Sequence, residues 1–367
     1  MNIPTVIFFL NILTLLTSCK GQTTTHSENS ANSTSIGDTV NELGKDIAFV
    51  YQDKKNNYWF ASKDDGLYKY EEKTIIHFTT KDGLTSNTIG EIKEDKSGNI
   101  YFTTDNGICK FNGKTFKALK EKVGVDNDWK LSPNDIWFKS PEFDGFVYRY
   151  DGESLLKLKV PKISLGEDYV SKHPNYANPY AVFCIYTDSR ENLWFGTATL
   201  GAFRYNGKSF DWIIEDDVTE LHDGPANGVR SIIEDKNGDF WFNSAYRYTV
   251  YDANLMGNSQ QDNSIFYKRI TSIGSIDGSN NSDFTEYLSV AKDNSNDLWF
   301  VPYDTGVWKY DGIKITHYPV QINSKEIKLF SIYKDNRGTL WLRTHEYGLW
   351  IFNGEAFEQF KIRNNGH

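Results

Sequence analysis

One feature constrains this chain more than any other: an Asp followed six positions later by a large aromatic residue, repeated along the sequence. The pairs are Asp53 with Trp59, Asp95 with Tyr101, Asp188 with Trp194, Asp235 with Trp241, Asp293 with Trp299 and Asp335 with Trp341. Turn-forming residues fill the interval, as in Asp95-Lys96-Ser97-Gly98-Asn99. Six or seven residues after most of these aromatics stands a Gly (Gly66, Gly107, Gly201, Gly306, Gly348), and four further on another aromatic (Tyr70, Phe111, Tyr205, Tyr310, Phe352). Asn-Gly or Asp-Gly then follows at 112–113, 206–207, 311–312 and 353–354, a dipeptide that favours a type I′ hairpin turn. Self-similarity at a fixed period marks a fold assembled from one supersecondary unit.

Each copy reads as four short strands, which in the last unit fall at 329–334, 340–343, 349–352 and 357–362. A third unit keeps Trp137, Gly145, Tyr150 and Asp151-Gly152 but has Leu131 where the Asp is due. A fifth keeps Asp235, Trp241 and Tyr251 without the Gly. Counting both, seven units fill residues 47–362. A four-stranded unit of this length cannot bury both faces alone, so the units must stack and close radially, which also removes free sheet edges. The expected fold is all-β: a seven-bladed β-propeller of four-stranded antiparallel blades over residues 44–367, with the recurring Trp residues forming the core between blades. An aromatic content of 15%, with 2 Met and 9 Pro, suits such strands.

The first residues are an address. Residues 3–16 are apolar but too short to span a bilayer, and they end in Leu16-Thr17-Ser18-Cys19, which resembles the lipobox of bacterial lipoproteins. The resemblance implies a signal peptide over 1–18, lipid (palmitate among the acyl chains) on Cys19, and a place in the cell envelope anchored by lipid. Lys20 after the Cys, in place of Asp, implies outer-membrane sorting. Residues 19–43 then form the lipidated Cys and a disordered tether: the Ser-, Thr- and Asn-rich stretch 20–41 cannot offset its ordering entropy. As a random coil it spans about 25 Å.

Segments such as Asn192-Leu193-Trp194-Phe195-Gly196-Thr197 and Glu234-Asp235-Lys236-Asn237-Gly238-Asp239-Phe240-Trp241 resemble two-component regulator propeller repeats, and Lys81-Asp82-Gly83-Leu84-Thr85-Ser86-Asn87 resembles that family's link between blades. The resemblance covers most of the chain beyond the tether. It implies the periplasmic, ligand-binding sensor half of a two-component system, often in glycan-using bacteria. No kinase or DNA-binding segment follows the last repeat, so signalling output is expected in another protein.

Catalytic motifs are not found. The sialidase Asp-box has a shorter Asp-to-aromatic interval. Asp235-Lys236-Asn237-Gly238-Asp239 resembles the start of a calcium loop but lacks its distal Glu, and the slot recurs as a turn in most units. His77 and His317 occupy equivalent slots in distant units, and His173, His222 and His345 lie in loops without metal-ligand spacing. Cys109 and Cys184 fall in buried slots of non-adjacent units, so neither a disulfide nor a nucleophile is expected. No cofactor and no metal are expected. The net charge of −9, with no Lys/Arg cluster, excludes a phosphate-tracking surface and with it a nucleic-acid partner.

In a four-stranded blade the first-second and third-fourth turns share one face of the disc, and the second-third turns and inter-blade links share the other. Tight Asp-turn and Asn-Gly hairpins fall on the first face. Long irregular links (162–180, 215–228, 271–286) fall on the second, together with second-third turns carrying Asp64, Asp65, Asp105, Arg247 and Asp304. Binding residues favour such loops on a rigid scaffold. The expected ligand-binding residues are Arg343, His345, Glu346 and Tyr347, with His222 and Asp223 from a long link. The leading expectation is a non-enzymatic envelope binding or sensor module that captures a glycan fragment or a protein partner. The alternatives are a carbohydrate-active or lyase-type propeller enzyme and a scaffold in a membrane-associated complex.

Overall fold

The computed structural model describes residues 36–44, 46–215, 218–219, 228–251, 266–270, 284 and 286–361. The signal peptide, the lipidation site Cys19 and the proposed contact residues His222 and Asp223 lie outside them.

The described chain is a seven-bladed β-propeller. Blade one runs inward to outward as Ile47–Gln52, Tyr58–Ser62, Leu67–Glu71 and Thr74–Phe78, each strand antiparallel to the next. Blades two, four, five, six and seven repeat this meander. First strands of neighbouring blades approach one another, which places them innermost. Asp38–Val40, a stretch the composition assigns to the tether, pairs with Thr74–Phe78 as a fifth strand of blade one. Ile36, Val40 and Leu43 pack on the blade cores, and the Gly37 N–H donates to Asp82 Oδ1 at 2.8 Å.

The Asp-aromatic repeat is a single hydrogen-bonded turn. In blade one, Asp53 Oδ1 accepts from the N–H groups of Lys55 and Asn57, and Oδ2 accepts from Trp59 Nε1, all at 2.9 Å. The same bond reaches Tyr101 Oη, Trp194, Trp241, Trp299 and Trp341 at 2.9–3.2 Å. The six-residue interval is therefore the reach of one carboxylate across a hairpin.

These aromatics then pack against the following blade, and one contact occurs at every seam. Trp59 meets Phe102 (ring centroids 5.5 Å apart), Tyr101 meets Phe138 (6.0 Å), and Trp137 meets Phe195 (5.9 Å). Trp194 meets Phe242 (5.4 Å), Trp241 meets Phe300 (5.1 Å), Trp299 meets Phe352 (4.8 Å), and Trp341 returns to Tyr58 (5.5 Å). None of the seven is more than 6% exposed, so they form the inter-blade core and offer no sugar platform. On the third strands, Lys69, Lys110, Arg204 and Lys309 place cations 5.2–5.9 Å from the rings of Trp59, Tyr101, Trp194 and Trp299.

Three local features differ from the sequence expectation. The Asn-Gly and Asp-Gly turns are not type I′, because only the Gly takes positive φ: 94° at Gly113, 88° at Gly207, 95° at Gly312 and 103° at Gly354. Asn112 instead precedes the turn, and its Oδ1 accepts from the N–H groups of Lys114 and Thr115, leaving Gly113 as first central residue in a type II′ arrangement. Second, the link 162–180 contains a helix, Ser164–Lys172, with Tyr180 hydrogen-bonded to Ile163 and Glu167 at its start.

The third difference is in blade three, whose four strands are arranged unlike the others. Ile136–Lys139, Phe146–Tyr150 and Leu155–Lys159 are the second, third and fourth strands of the repeat. The remaining strand, Glu121–Val123, pairs parallel with Leu155–Lys159 on the outside. The second strand is therefore the innermost of its sheet. In place of the Asp-Trp bond, Asp135 pairs with Arg149 at 2.6 Å, both side chains buried.

Candidate functional site

Arg343 sits in the second strand of blade seven, Leu340–Thr344, opposite Ser331 and Leu349. The register slips between Leu329 and Ser331, and this bulge turns Phe330 out of the ladder. The Arg343 guanidinium lies 4.8 Å from the Phe330 ring centroid, and His345 stacks on the same ring at 5.2 Å. Burial pulls the Arg343 guanidinium pKa below its ordinary value. No hydrogen bond or ion pair joins it to the other described residues. The His345 N–H donates to the Lys328 carbonyl at 2.9 Å. Lys328 in turn places its ammonium 5.2 Å from the ring of Tyr303, which lies 6.2 Å from Phe330.

The four expected contact residues in this turn do not converge on one point. Arg343 and His345 meet at Phe330. Glu346 and Tyr347 line a separate cleft of about 380 Å3 with Glu42, Leu43, Gly44, Ile47 and Phe360. Tyr347 is held by its N–H to Thr344 Oγ1 (2.9 Å) and by Gln359 Nε2 donating to its carbonyl (3.0 Å). Glu346 Oε1 is 3.7 Å from His345 Nδ1, both side chains well exposed.

Sequence reasoning missed Phe330, Tyr303 and Lys328. A second aromatic-cation pair recurs at the equivalent bulge of blade four, where Arg230 lies 4.4 Å from the ring of Phe183 and Phe143 meets Phe183 at 5.7 Å. Phe143 is 52% exposed with φ of 51°, a strained backbone for a bulky residue. The signal was available: the bulge slot holds Ala48 and Gly90 in two blades but Phe183 and Phe330 in two others.

Other polar residues serve the scaffold. His77 stacks on Tyr68 and His317 on Trp308, both at 4.3 Å, each with Nε2 at a turn carbonyl, Asp65 or Thr305. Arg247 starts a third strand and donates to Tyr310 Oη. Cys109 and Cys184 are free thiols, and burial pushes them up to about 11 and about 12, far from nucleophilic thiolates at neutral pH.

The family model "Two component regulator propeller" matches residues 176–199, which span the first two strands of blade four. The match covers one copy of the repeat and agrees with the resemblance its residues carry. No curated protein sequence matches the chain. Among solved structures, the chain is similar to virginiamycin B lyase from Staphylococcus aureus: 15% identity, TM-score 0.57, covering 86% of this chain and 97% of that one. A streptogramin B lyase gives 12% identity and TM-score 0.56 over 86% and 94%. The extracellular domain of the putative hybrid two component system BT4673 from B. thetaiotaomicron gives 18% identity and TM-score 0.39 over 89% and 42%. At such identities the lyase likeness is one of fold. Among the described residues no helix is long and apolar enough to cross a membrane.

Proposed function

We propose that the chain is a binding or sensor propeller of the bacterial cell envelope, held to the outer membrane through Cys19, that captures a glycan fragment on the face carrying its inter-blade links. One observation carries the reading: Arg343, His345, Phe330, Tyr303 and Lys328 form a continuous cation-aromatic surface at second-third turns and bulged inner strands. Aromatic rings suit the C–H faces of sugars, and a desolvated guanidinium with no counter-ion among the described residues suits a carboxylate or a row of hydroxyls. The turns and bulges that bear these groups project from blades fixed by the seam contacts, so the surface is preorganised. Regulator propeller repeats support the sensor role, with output in a partner protein.

A second reading is favoured by one contact. His345 beside Glu346 could act as a base in a lyase, the activity named for the two enzymes of similar fold.

A glycan array probed with the full chain and with the chain from Ile36 onward tests the binding role. Retention of specific oligosaccharides unchanged in mass supports capture. Fragmented or eliminated products indicate the enzyme, and a blank array with a protein captured from envelope extracts indicates the scaffold. For the anchor, Cys19→Ser is expected to move the protein from the membrane to the soluble envelope fraction, and equal membrane retention would remove the lipid from the account.

A further inference from the structure

Blade three differs from the other blades at its inner edge. In the other six blades an innermost strand hydrogen-bonds the strand bearing the Trp or Tyr. In blade three the chain between Ala118 and Ile136 adds its strand, Glu121–Val123, at the outer edge and then packs Trp129 on Trp137, and among the described residues no strand pairs with the inner edge of Ile136–Lys139. The Trp137 carbonyl points to that side, because it accepts from Lys93 Nζ of the neighbouring blade at 2.5 Å. Strand alternation points the Trp137 N–H and both backbone groups of Lys139 the same way, and no described group bonds them.

Glu91 and Lys93 of blade two, whose side chains pair at 3.4 Å, border this edge. Glu91 Oε2 is buried without a hydrogen-bond partner, and the Lys139 ammonium forms no ion pair among the described residues. Glu91 lies on the same face of its strand as Lys93, which reaches the Trp137 carbonyl. Glu91, Lys93 and Lys139 remain partly exposed, and water therefore reaches the edge.

We propose that this edge receives an extended peptide of a partner protein as the missing innermost strand, with an acidic side chain opposite Lys139. A row of backbone donors and acceptors at strand spacing complements another extended backbone, which is how edge strands recruit peptides. Charge sets the register. Position 139 is equivalent to position 103, which faces Glu91 within blade two. A carboxylate brought to that place meets the unpaired Lys139, and the incoming backbone takes over the Trp137 carbonyl from Lys93. This site is independent of the glycan surface, and the two can fail separately.

The test uses the full chain and a synthetic peptide of its own sequence Ile89–Asp95, which places a Glu opposite Lys139. Without peptide, the amides of Trp137 and Lys139 are expected to exchange with solvent about 100-fold faster than those of Trp194 and Gly196, whose strand has its inner partner. Peptide is expected to slow them about tenfold or more. The effect should weaken with Lys139→Glu, persist in Lys93→Ala, and be unchanged by Arg343→Ala. Slow exchange in the free protein would overturn the proposal, as would no protection at millimolar peptide or equal protection by the peptide carrying Glu91→Lys.

Discussion

Tyr58 and Asp335, separated by most of the propeller's sequence, are joined by a hydrogen bond of 2.8 Å from the tyrosine hydroxyl to the carboxylate. The same Oδ2 accepts from Trp341 Nε1 at 3.0 Å, so the turn that builds blade seven also fastens it to blade one. Asn336 adds to the seam, its N–H donating to Gln52 Oε1 and its Nδ2 to the Asp53 carbonyl. Among the described residues no strand is exchanged between the last and first blades; the ring closes by the same kind of aromatic contact that joins the other pairs.

Tyr58→Phe is therefore expected to lower stability by about 1.5–3 kcal/mol, the range for a hydrogen bond to a charged acceptor. Urea unfolding of the variant measures it. An unchanged midpoint would mean that the seam does not depend on this bond.

Truncating the seam aromatic costs more. Trp299→Ala should destabilise by about 3–5 kcal/mol, because it empties a buried site against Phe352 and Phe357. Thermal unfolding beside Ile313→Ala, at a 92% exposed position, provides the control.

The repeated carboxylates predict acid lability. Burial alone would raise the Asp335 carboxyl, but hydrogen bonds from Trp341, Tyr58 and the N–H groups of Thr339 and Arg337 outweigh it and hold the pKa below the usual carboxylate range. Asp95 and Asp293 are lowered in the same way, against burial, by hydrogen bonds from Asn99 and Tyr101 and from Trp299 and Asp297. A depressed folded-state pKa gives stability that is present above the unfolded value, about 4, and lost as pH falls through the folded value. Stability from these groups should be flat from neutral pH down to that value and then fall. Asp335→Asn should make the fall shallower, which a pH series of unfolding curves would detect.

The seven blades were legible because the Asp-to-Trp interval is itself a piece of geometry: one carboxylate spans one hairpin, and each copy repeats it. Blade three was legible only as a copy. Leu131 aligns with the missing Asp, but Asp135 supplies the carboxylate and binds Arg149. The interval from Ala118 to Ile136 is shorter than that from Phe78 to Ile100, and it forms the outer strand Glu121–Val123 where the other copies form an inner one. Arg343 and His345 were found because their turn departs from the repeat. Phe330 was missed although its slot holds Ala48 and Gly90 in other blades, because a bulge position is recognised only once the strands are paired. The type I′ reading of Asn-Gly failed because the Asn side chain captures the turn's N–H groups and shifts the turn by one residue.

Blade three also supplies a test of burial energetics. Arg149→Met alone leaves the buried Asp135 without its cation and should cost about 3–5 kcal/mol, while adding Asp135→Leu should recover most of the loss. Equal losses in the single and double variants would show that the pair acts through packing alone.

Ligand is expected to bind the face of the links and second-third turns. The most direct measurement is the affinity of an oligosaccharide selected on the array, by calorimetry, for Arg343→Ala and Tyr347→Ala beside Lys236→Ala and Arg337→Ala on the opposite, hairpin face. Arg343→Ala is expected to weaken binding about tenfold or more and Tyr347→Ala less, while both hairpin-face variants bind as the unaltered protein does. Loss of affinity confined to Lys236→Ala or Arg337→Ala would contradict it and place the working surface on the other side of the disc.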